Sequence, residues 1–409
     1  MIFDTSQRQR IASGLRPYVG SLDIEQLVEK HGSPFFLLDA AIIRQRYQQL
    51  QQALPGVRHY YAMKALSHRA VLRAIKDCDG YLDVATPGEI AIAQSVGFSM
   101  ERIFHTHPVK KPSEIASAIK AGIKRFVVDN SDELAKFEAY GHSVELMVRL
   151  SHRDPDASLD LSYKFGADQQ LATSLVSQAI QQGNVVVGFC IHIGSQIHNP
   201  GAYADALQQT IDLVDELEST QNLHITHIDI GGGFPVEYRQ EVASIAHIAE
   251  SVMPIITANA NRFEFSAEPG RYVAAPAMLA ISSVVGKARR NDTQWYYIDD
   301  GVYGAYANNI FEGIIPHMFS LKELYGMPTG PAESVVVAGP TCDSIDVILE
   351  SYPLPSMGIG DILLSPMMGA YSSVLATTFN SIPLTNIVVI GVQPDGLPTF
   401  DTDKKPAYS

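Results

Sequence analysis

HYYAMKALSHRAVLRAIKDCDGYLDVATPGEIAIAQSV, residues 59–96, holds the pattern that decides the fold. Two short apolar or aromatic runs, HYYAMK and YLDVAT, each lead into a stretch with helix-like character, HRAVLRAIKD at 68–77 and PGEIAIAQSV at 87–96. Pro87 sits where a first helical turn tolerates proline, and Glu89 two residues on suits the helix dipole. Working outward, the alternation recurs at RIFHTH (102–107), RFVVDN (125–130), ELMVRL (145–150), VVGFCIH (186–192), HIDIGGG (227–233) and FEFSAEPG (263–270). Eight such units are what a (β/α)8 barrel requires, and a doubly wound open sheet is the competing architecture. The polar residues separate the two. Lys64, Asp83, His107, Asn130, Arg149, His192, Gly231 and Glu268 all fall at or just past the end of their run, and a barrel builds its site on that rim from many strands.

Beyond Pro276 the texture changes to runs such as AMLAISSVVGKAR, QWYYIDDG, ESVVVAG and DILLSP, separated by turn residues. That reads as a second, mainly β domain of sandwich or barrel type. The expected division is a barrel over 36–275, with 1–35 and 276–409 forming the β domain. The segment PFFLLD at 34–39 is expected to pair into the latter.

Thirty Lys plus Arg stand against 44 Asp plus Glu, a net charge of −14. That field repels phosphate backbones and anionic lipid, which argues against a nucleic-acid or membrane-surface protein. A hydrophobic content of 46% excludes a disordered chain. Cys78, Cys190 and Cys342 are too few and too scattered for a disulfide framework or a zinc site. His105 and His107 alternate onto one strand face, but two ligands without a third make no metal site. MIFDTSQRQRIASGLRPY offers no apolar core for a signal, and no run of about 18 apolar residues occurs. A cytoplasmic enzyme is the expectation.

Lys64 follows apolar and aromatic neighbours, so its stem is expected to be packed and its amine partly desolvated, as a Schiff-base lysine needs. A snorkelling lysine at a strand end is the alternative. Gly231, Gly232 and Gly233 follow a strand, where bare backbone can wrap an anion with its N–H groups or simply make a tight turn. The turn Glu268-Pro269-Gly270-Arg271 closes the eighth run and adds a guanidinium, which favours a phosphate between the last two strands. Glu268 is ill suited to a phosphate but well suited to a pyridinium nitrogen, and pyridoxal 5′-phosphate carries both groups on one ring. His192, in CIHIGSQ, could lie flat on that ring, with Ser195 reaching the phosphate; a buried histidine without a ligand is the alternative. Cys342 and Asp343, in AGPTCDSID, look like an exposed functional loop. Tyr371, in SPMMGAYSS, offers a phenol to a phosphate oxygen, with core packing as its other explanation.

Taken in order, YAMK, HIGSQ, DIGGGFP, EPGR, DDGVYGAY, GPTCDSID and GAYSS resemble the fold-type III pyridoxal-phosphate decarboxylases of ornithine, lysine, arginine and diaminopimelate. The resemblance runs from about residue 35 onward, and no single motif carries it. It implies an alanine-racemase-like pairing of barrel and β domain. It also implies a homodimer in which the barrel of one subunit meets the β domain of the other. By resemblance, Lys64 would bind the cofactor as its Schiff base, His192 would stack on the ring, and Glu268 would pair with the ring nitrogen. Ser195, Gly231, Gly232, Gly233, Gly270, Arg271 and Tyr371 would surround the phosphate, while Asp83, Glu89 and Arg149 would position lysine and cofactor. Cys342 of the partner subunit would reprotonate the α-carbon. Related racemases place an arginine where this chain has Glu268, so the carboxylate favours decarboxylation.

The far end of the substrate is expected to meet Asp343 and Glu312, with Tyr303 and Phe311 beside them. Two carboxylates suit an ammonium and oppose an acidic or apolar tail. Decarboxylation of ornithine or lysine to putrescine or cadaverine, in polyamine biosynthesis, is the favoured reading, and arginine or diaminopimelate is the runner-up. Glu312 and Phe311 depart from the aspartate and tyrosine usual in eukaryotic ornithine decarboxylases, whereas Cys342-Asp343-Ser344 departs from the Cys-Glu-Ser of diaminopimelate enzymes. A catalytically silent regulatory homologue is disfavoured, since Lys64, His192, Glu268, Arg271 and Cys342 are all present.

Overall fold

The structure, a computed structural model, describes residues 5–152, 163–221 and 223–392. The outer ends of the expected β domain, 1–4 and 393–409, lie outside the described residues. Two compact units emerge: Ile43–Val236 with Val242–Val273, and the chain up to Ile42 with Glu237–Glu241 and everything from Ala274.

The first strand, β1 (Phe35–Asp39), belongs to the second unit. The eight that follow, β2 (Val57–Ala62), β3 (Tyr81–Val84), β4 (Ile103–His105), β5 (Arg125–Val128), β6 (Glu145–Leu150), β7 (Val185–Ile191), β8 (His227–Asp229) and β9 (Glu264–Ala267), close into a barrel. Every pairing is parallel, and β2 against β9 completes the circle with Val57 opposite Phe265. Each of the eight expected runs therefore holds its strand. Tyr60, Phe104, Val127, Met147 and Cys190, from alternate positions on five strands, form one buried cluster. Truncating either aromatic ring there would cost about 3–5 kcal/mol.

Strand ends pass into helices through short polar caps. Thr86 Oγ1 accepts from Glu89 N–H at the head of Pro87–Ser95, with Pro87 in the first turn as expected. Asn130 does the same for Glu133 at Ser131–Ala135, so this rim residue is a helix cap. Asp168 and Ser244 cap Gln169–Gln181 and Ile245–Asn259. Because the caps lie on the carboxyl side of the strands, they hold the rim loops in place.

In the other unit, β10 (Met278–Arg290), β11 (Thr293–Ile298), β12 (Phe319–Ser320), β13 (Glu333–Ala338), β14 (Val347–Leu354), β15 (Ile362–Ser365) and β16 (Asn386–Ile390) join β1 in an eight-stranded sheet. The long strand β10 pairs with β1 and β15 through its first half and with β11 through its second, across a bulge between Val284 and Gly286. Helices Thr5–Gly20 and Ile24–His31 contribute Ala12, Val19 and Ile24 to a core with Phe35, Leu37, Leu279, Ile281 and Phe319.

Two boundaries differ from the sequence reading. The division falls after Ile42 and not at 36, because β1 is hydrogen-bonded between β10 and β16. The stretch Glu237–Glu241, inside the expected barrel, also belongs to the β unit, where Arg239 donates to the carbonyls of Ile315 (2.7 Å) and Pro316 (2.9 Å).

Candidate active site

The barrel rim gathers charged and ionisable groups around one point. Lys64 lies in the 3-10 turn Met63–Ala65 just past β2, and its Nζ is 3.7 Å from Asp83 Oδ2. Asp83, inside β3, is buried and accepts from Thr106 Oγ1 on the next strand's exit. Burial raises the Asp83 pKa, while Lys64, the Thr106 bond and Arg149 pull it back. Glu268, one residue past β9, is held well above the usual carboxylate range by burial and then by Asp83 and Asp229, with Lys64 and Arg149 opposing. His192, one residue past β7, is kept neutral by burial and by the nearby Arg149 and Lys64. Its Nδ1 accepts from Gly194 N–H at 3.3 Å, which leaves the proton on Nε2. Glu89 accepts from Ala85 N–H at 2.6 Å, and burial pushes its pKa up to about 6.

Beside this charged group lies a cradle of backbone. Gly231 (φ +72°) and Gly233 (φ +89°) take left-handed conformations, and a Cβ on either would strike the carbonyl oxygen of Ile191 or Gly194. A Cβ on Gly232 would meet the Glu268 carbonyl at 2.6 Å. Tyr203 O–H donates to the Gly232 carbonyl at 3.1 Å, and its ring stacks on Phe234. Arg271 Nη2 donates to Ser195 Oγ at 3.2 Å, joining the two loops that flank the glycines. Gly270 sits against Ala62 and Ala65, so a side chain there would press on the Lys64 turn.

The Lys64 side chain is 46% exposed, because the 3-10 turn lifts it beyond the buried Tyr60, Tyr61 and Met63. Lys110 is buried far more deeply, and burial lowers its pKa to about 8. Lys110 is no competitor for an aldehyde: its Nζ is 1% exposed by side chain and is engaged by the carbonyls of His107 and Val127 and by Glu133. His105 is buried against Phe126, whereas His107 accepts from Val109 N–H.

In the β unit, Tyr303 O–H donates to Asp343 Oδ2 at 2.6 Å and stacks on Phe379 with centroids 4.3 Å apart. Cys342 is exposed, and Asn380 Nδ2 donates to its Sγ at 3.2 Å. Buried Asp346 accepts from Val302 N–H, Thr341 N–H and Thr341 Oγ1, which stitches the Tyr303 and Cys342 turns together. The Tyr303 bond comes first among the causes that lower the Asp343 pKa, followed by Ile345 N–H. Phe311 is 61% exposed at the end of Asn308–Phe311, and Glu312 terminates that helix. Tyr371 has φ +57° in the same unit.

The barrel residues fit pyridoxal phosphate. A buried carboxyl crowded by two further acids suits a protonated ring nitrogen, a neutral imidazole suits the ring face, and the side-chain-free glycines with Ser195 and Arg271 suit the phosphate. Thr106, Tyr203 and Asp229 are not legible as site residues in the sequence. Only the DIGGGFP motif around the last of them hints at it.

An eight-stranded parallel barrel with this rim, accompanied by a mainly β unit, defines the fold-type III class of pyridoxal-phosphate enzymes. Residues 40–275 match the family described as "Pyridoxal-dependent decarboxylase, pyridoxal binding domain". The lysine/ornithine decarboxylase of Selenomonas ruminantium is 30% identical over 374 residues, covering 91% of this chain and 93% of that one. The crystal structure of lysine/ornithine decarboxylase from Vibrio vulnificus, complexed with cadaverine, is 36% identical with a TM-score of 0.84, covering 90% of this chain and 95% of that one. The arginine decarboxylase of Paramecium bursaria Chlorella virus, bound to agmatine, is 28% identical with a TM-score of 0.84, covering 90% of this chain and 99% of that one. The chain belongs to the pyridoxal-dependent decarboxylase family. It is a carboxy-lyase whose cofactor is pyridoxal 5′-phosphate. Among the described residues, no helix is long and apolar enough to cross a membrane.

Proposed function

We propose that the protein decarboxylates L-ornithine, L-lysine or both, releasing carbon dioxide and the corresponding diamine. The observation that carries this reading is the Tyr303–Asp343 pair beside Cys342. A carboxylate kept anionic by a phenol bond is a partner for the terminal ammonium of a basic amino acid and repels a second carboxylate there. The Selenomonas and Vibrio relatives, lysine/ornithine decarboxylases by name, support the same assignment.

In this reading Lys64 binds the cofactor through its amine, and Asp83, held by Thr106, orients that amine. His192 would face the ring, Glu268 would hold the proton on the ring nitrogen, and Gly231–Gly233, Ser195, Gly270 and Arg271 would receive the phosphate. Asp83, Glu89 and Arg149 keep the lysine end of the site ordered. When bound, pyridoxal phosphate supplies an electron sink for the pair left as carbon dioxide departs. Glu268 strengthens that sink by holding a positive charge on the ring. The protein is a homodimer in which Cys342 of the partner subunit returns a proton to the α-carbon. Asp343, with Glu312, Tyr303 and Phe311 around it, binds the distal ammonium.

The test is product analysis after incubating holoenzyme separately with L-ornithine, L-lysine, L-arginine and meso-diaminopimelate. Putrescine or cadaverine with equimolar carbon dioxide is the expected result. Carbon dioxide from arginine or diaminopimelate alone overturns the assignment.

A further inference from the structure

Gln196 closes the HIGSQ segment, and none of the chemistry above uses it. Its φ is +57°, in the left-handed region that glycine, asparagine and aspartate tolerate and that a longer side chain enters at a cost. Among the described residues of the barrel unit, Asp79 is the only other non-glycine there. A two-point contact holds it. Gln196 Nε2 donates to the Val236 carbonyl at 2.8 Å, and Gln196 Oε1 accepts from Val236 N–H at 2.8 Å. A side-chain amide thus pairs with a backbone residue as a neighbouring strand would. One residue on, Ile197 N–H donates to the Gly233 carbonyl at 3.1 Å. The GGGFPV segment, 231–236, is therefore tied to the 192–197 loop at its middle and at its end. Glycines have no side chains with which to fix their own conformation, so a single arrangement of their N–H groups depends on such outside ties.

We infer that Gln196 is a positioning residue for the phosphate seat, clamping Val236 so that the glycine loop and Ser195 keep the spacing a phosphate requires. The inference rests on the proposed reading of Gly231–Gly233, Ser195 and Arg271 as that seat. Preorganising the seat lowers the ordering cost of binding, so the effect is specific to ligands that carry a phosphate.

Gln196→Gly removes the clamp and relieves the backbone, and Gln196→Asn keeps an amide too short to reach while tolerating the left-handed conformation. Dissociation constants for pyridoxal phosphate and for phosphate-free pyridoxal, measured by equilibrium dialysis, are compared among the parent, both variants and Arg271→Ala. Both Gln196 variants are expected to weaken pyridoxal phosphate about tenfold and pyridoxal less than about twofold, with little change in the unfolding midpoint of the cofactor-free protein. If the ratio of the pyridoxal phosphate constant to the pyridoxal constant rises in Arg271→Ala and not in the Gln196 variants, the positioning role is overturned and the seat stands. If the ratio is unchanged in all three variants, the seat itself is overturned, and the inference with it. Equal weakening of both ligands, accompanied by a lower midpoint, also overturns the positioning role, because a merely structural residue does not discriminate by phosphate.

Discussion

Replacing Thr106 by valine isolates the one side-chain hydroxyl that holds the buried Asp83 carboxylate. The two residues have nearly the same shape, so the substitution removes the Thr106 Oγ1 donor and leaves packing almost intact. Thr106 is 8% exposed and Asp83 3%, so water cannot easily replace the lost bond. A hydrogen bond to a buried charged group is worth about 1.5–3 kcal/mol, and Asp83 keeps Lys64 as a partner at 3.7 Å, which places the expected loss near about 2 kcal/mol. The Thr106 bond lowers the Asp83 pKa, so its removal raises it further. The stability contributed by the bond is therefore present where Asp83 is ionised and shrinks as the pH falls and the carboxyl takes up a proton. Urea unfolding of the cofactor-free variant, followed by circular dichroism at pH 8 and pH 5, measures both. The single tryptophan, Trp295, lies in the β unit and would not report on the barrel. A Thr106→Val loss below about 0.5 kcal/mol at pH 8, or a loss that grows toward pH 5, would refute the reasoning.

Three further outcomes are expected. Glu89, with a pKa near 6 against an ordinary 4.5, favours its protonated form in the fold; its penalty is absent below pH 4.5 and complete above about 6. The stability of Glu89→Gln relative to the parent should accordingly rise by about 2 kcal/mol between pH 4 and pH 7, and a pH-independent difference in denaturant titrations would count against this. Cys342→Ala should lower turnover or divert product toward decarboxylation-dependent transamination, and an unchanged rate and product partition would remove Cys342 as the proton donor. If each site is shared across a dimer, Lys64→Ala and Cys342→Ala chains mixed under conditions that exchange subunits should gain diamine-forming activity of about a quarter of the parent rate above that of either variant alone. Size-exclusion chromatography would confirm the dimer, and an absence of recovery despite exchange would place both residues in one subunit's site.

The barrel was legible because each strand is a short apolar run closed by a polar residue, and the eight runs survive as β2 through β9. The location of Glu268, His192 and the glycine triplet followed from the same rhythm, since strand ends fix the rim. What the sequence did not disclose depends on pairing between distant segments. Thr106 serves Asp83 from the neighbouring strand, and Gln196 serves Val236 across 40 positions. Lys110 loses its solvent to β5 and Glu133, which no local pattern around HPVKK reveals. Lys64 sits in a turn that follows the buried Tyr60, Tyr61 and Met63, and how far its side chain is covered, 46% exposed, depends on that turn and on Asp83 across the rim. PFFLLD pairs into the β unit as expected, between β10 and β16, and only the bound at 36 moves, to Ile42.

Borohydride reduction of the holoenzyme, followed by digestion and mass spectrometry, identifies the lysine that binds the cofactor. The label is expected on Lys64, beside Asp83 at the barrel rim. A pyridoxyl group on Lys110, whose pKa is lowered to about 8, or on any other lysine would contradict the proposed site.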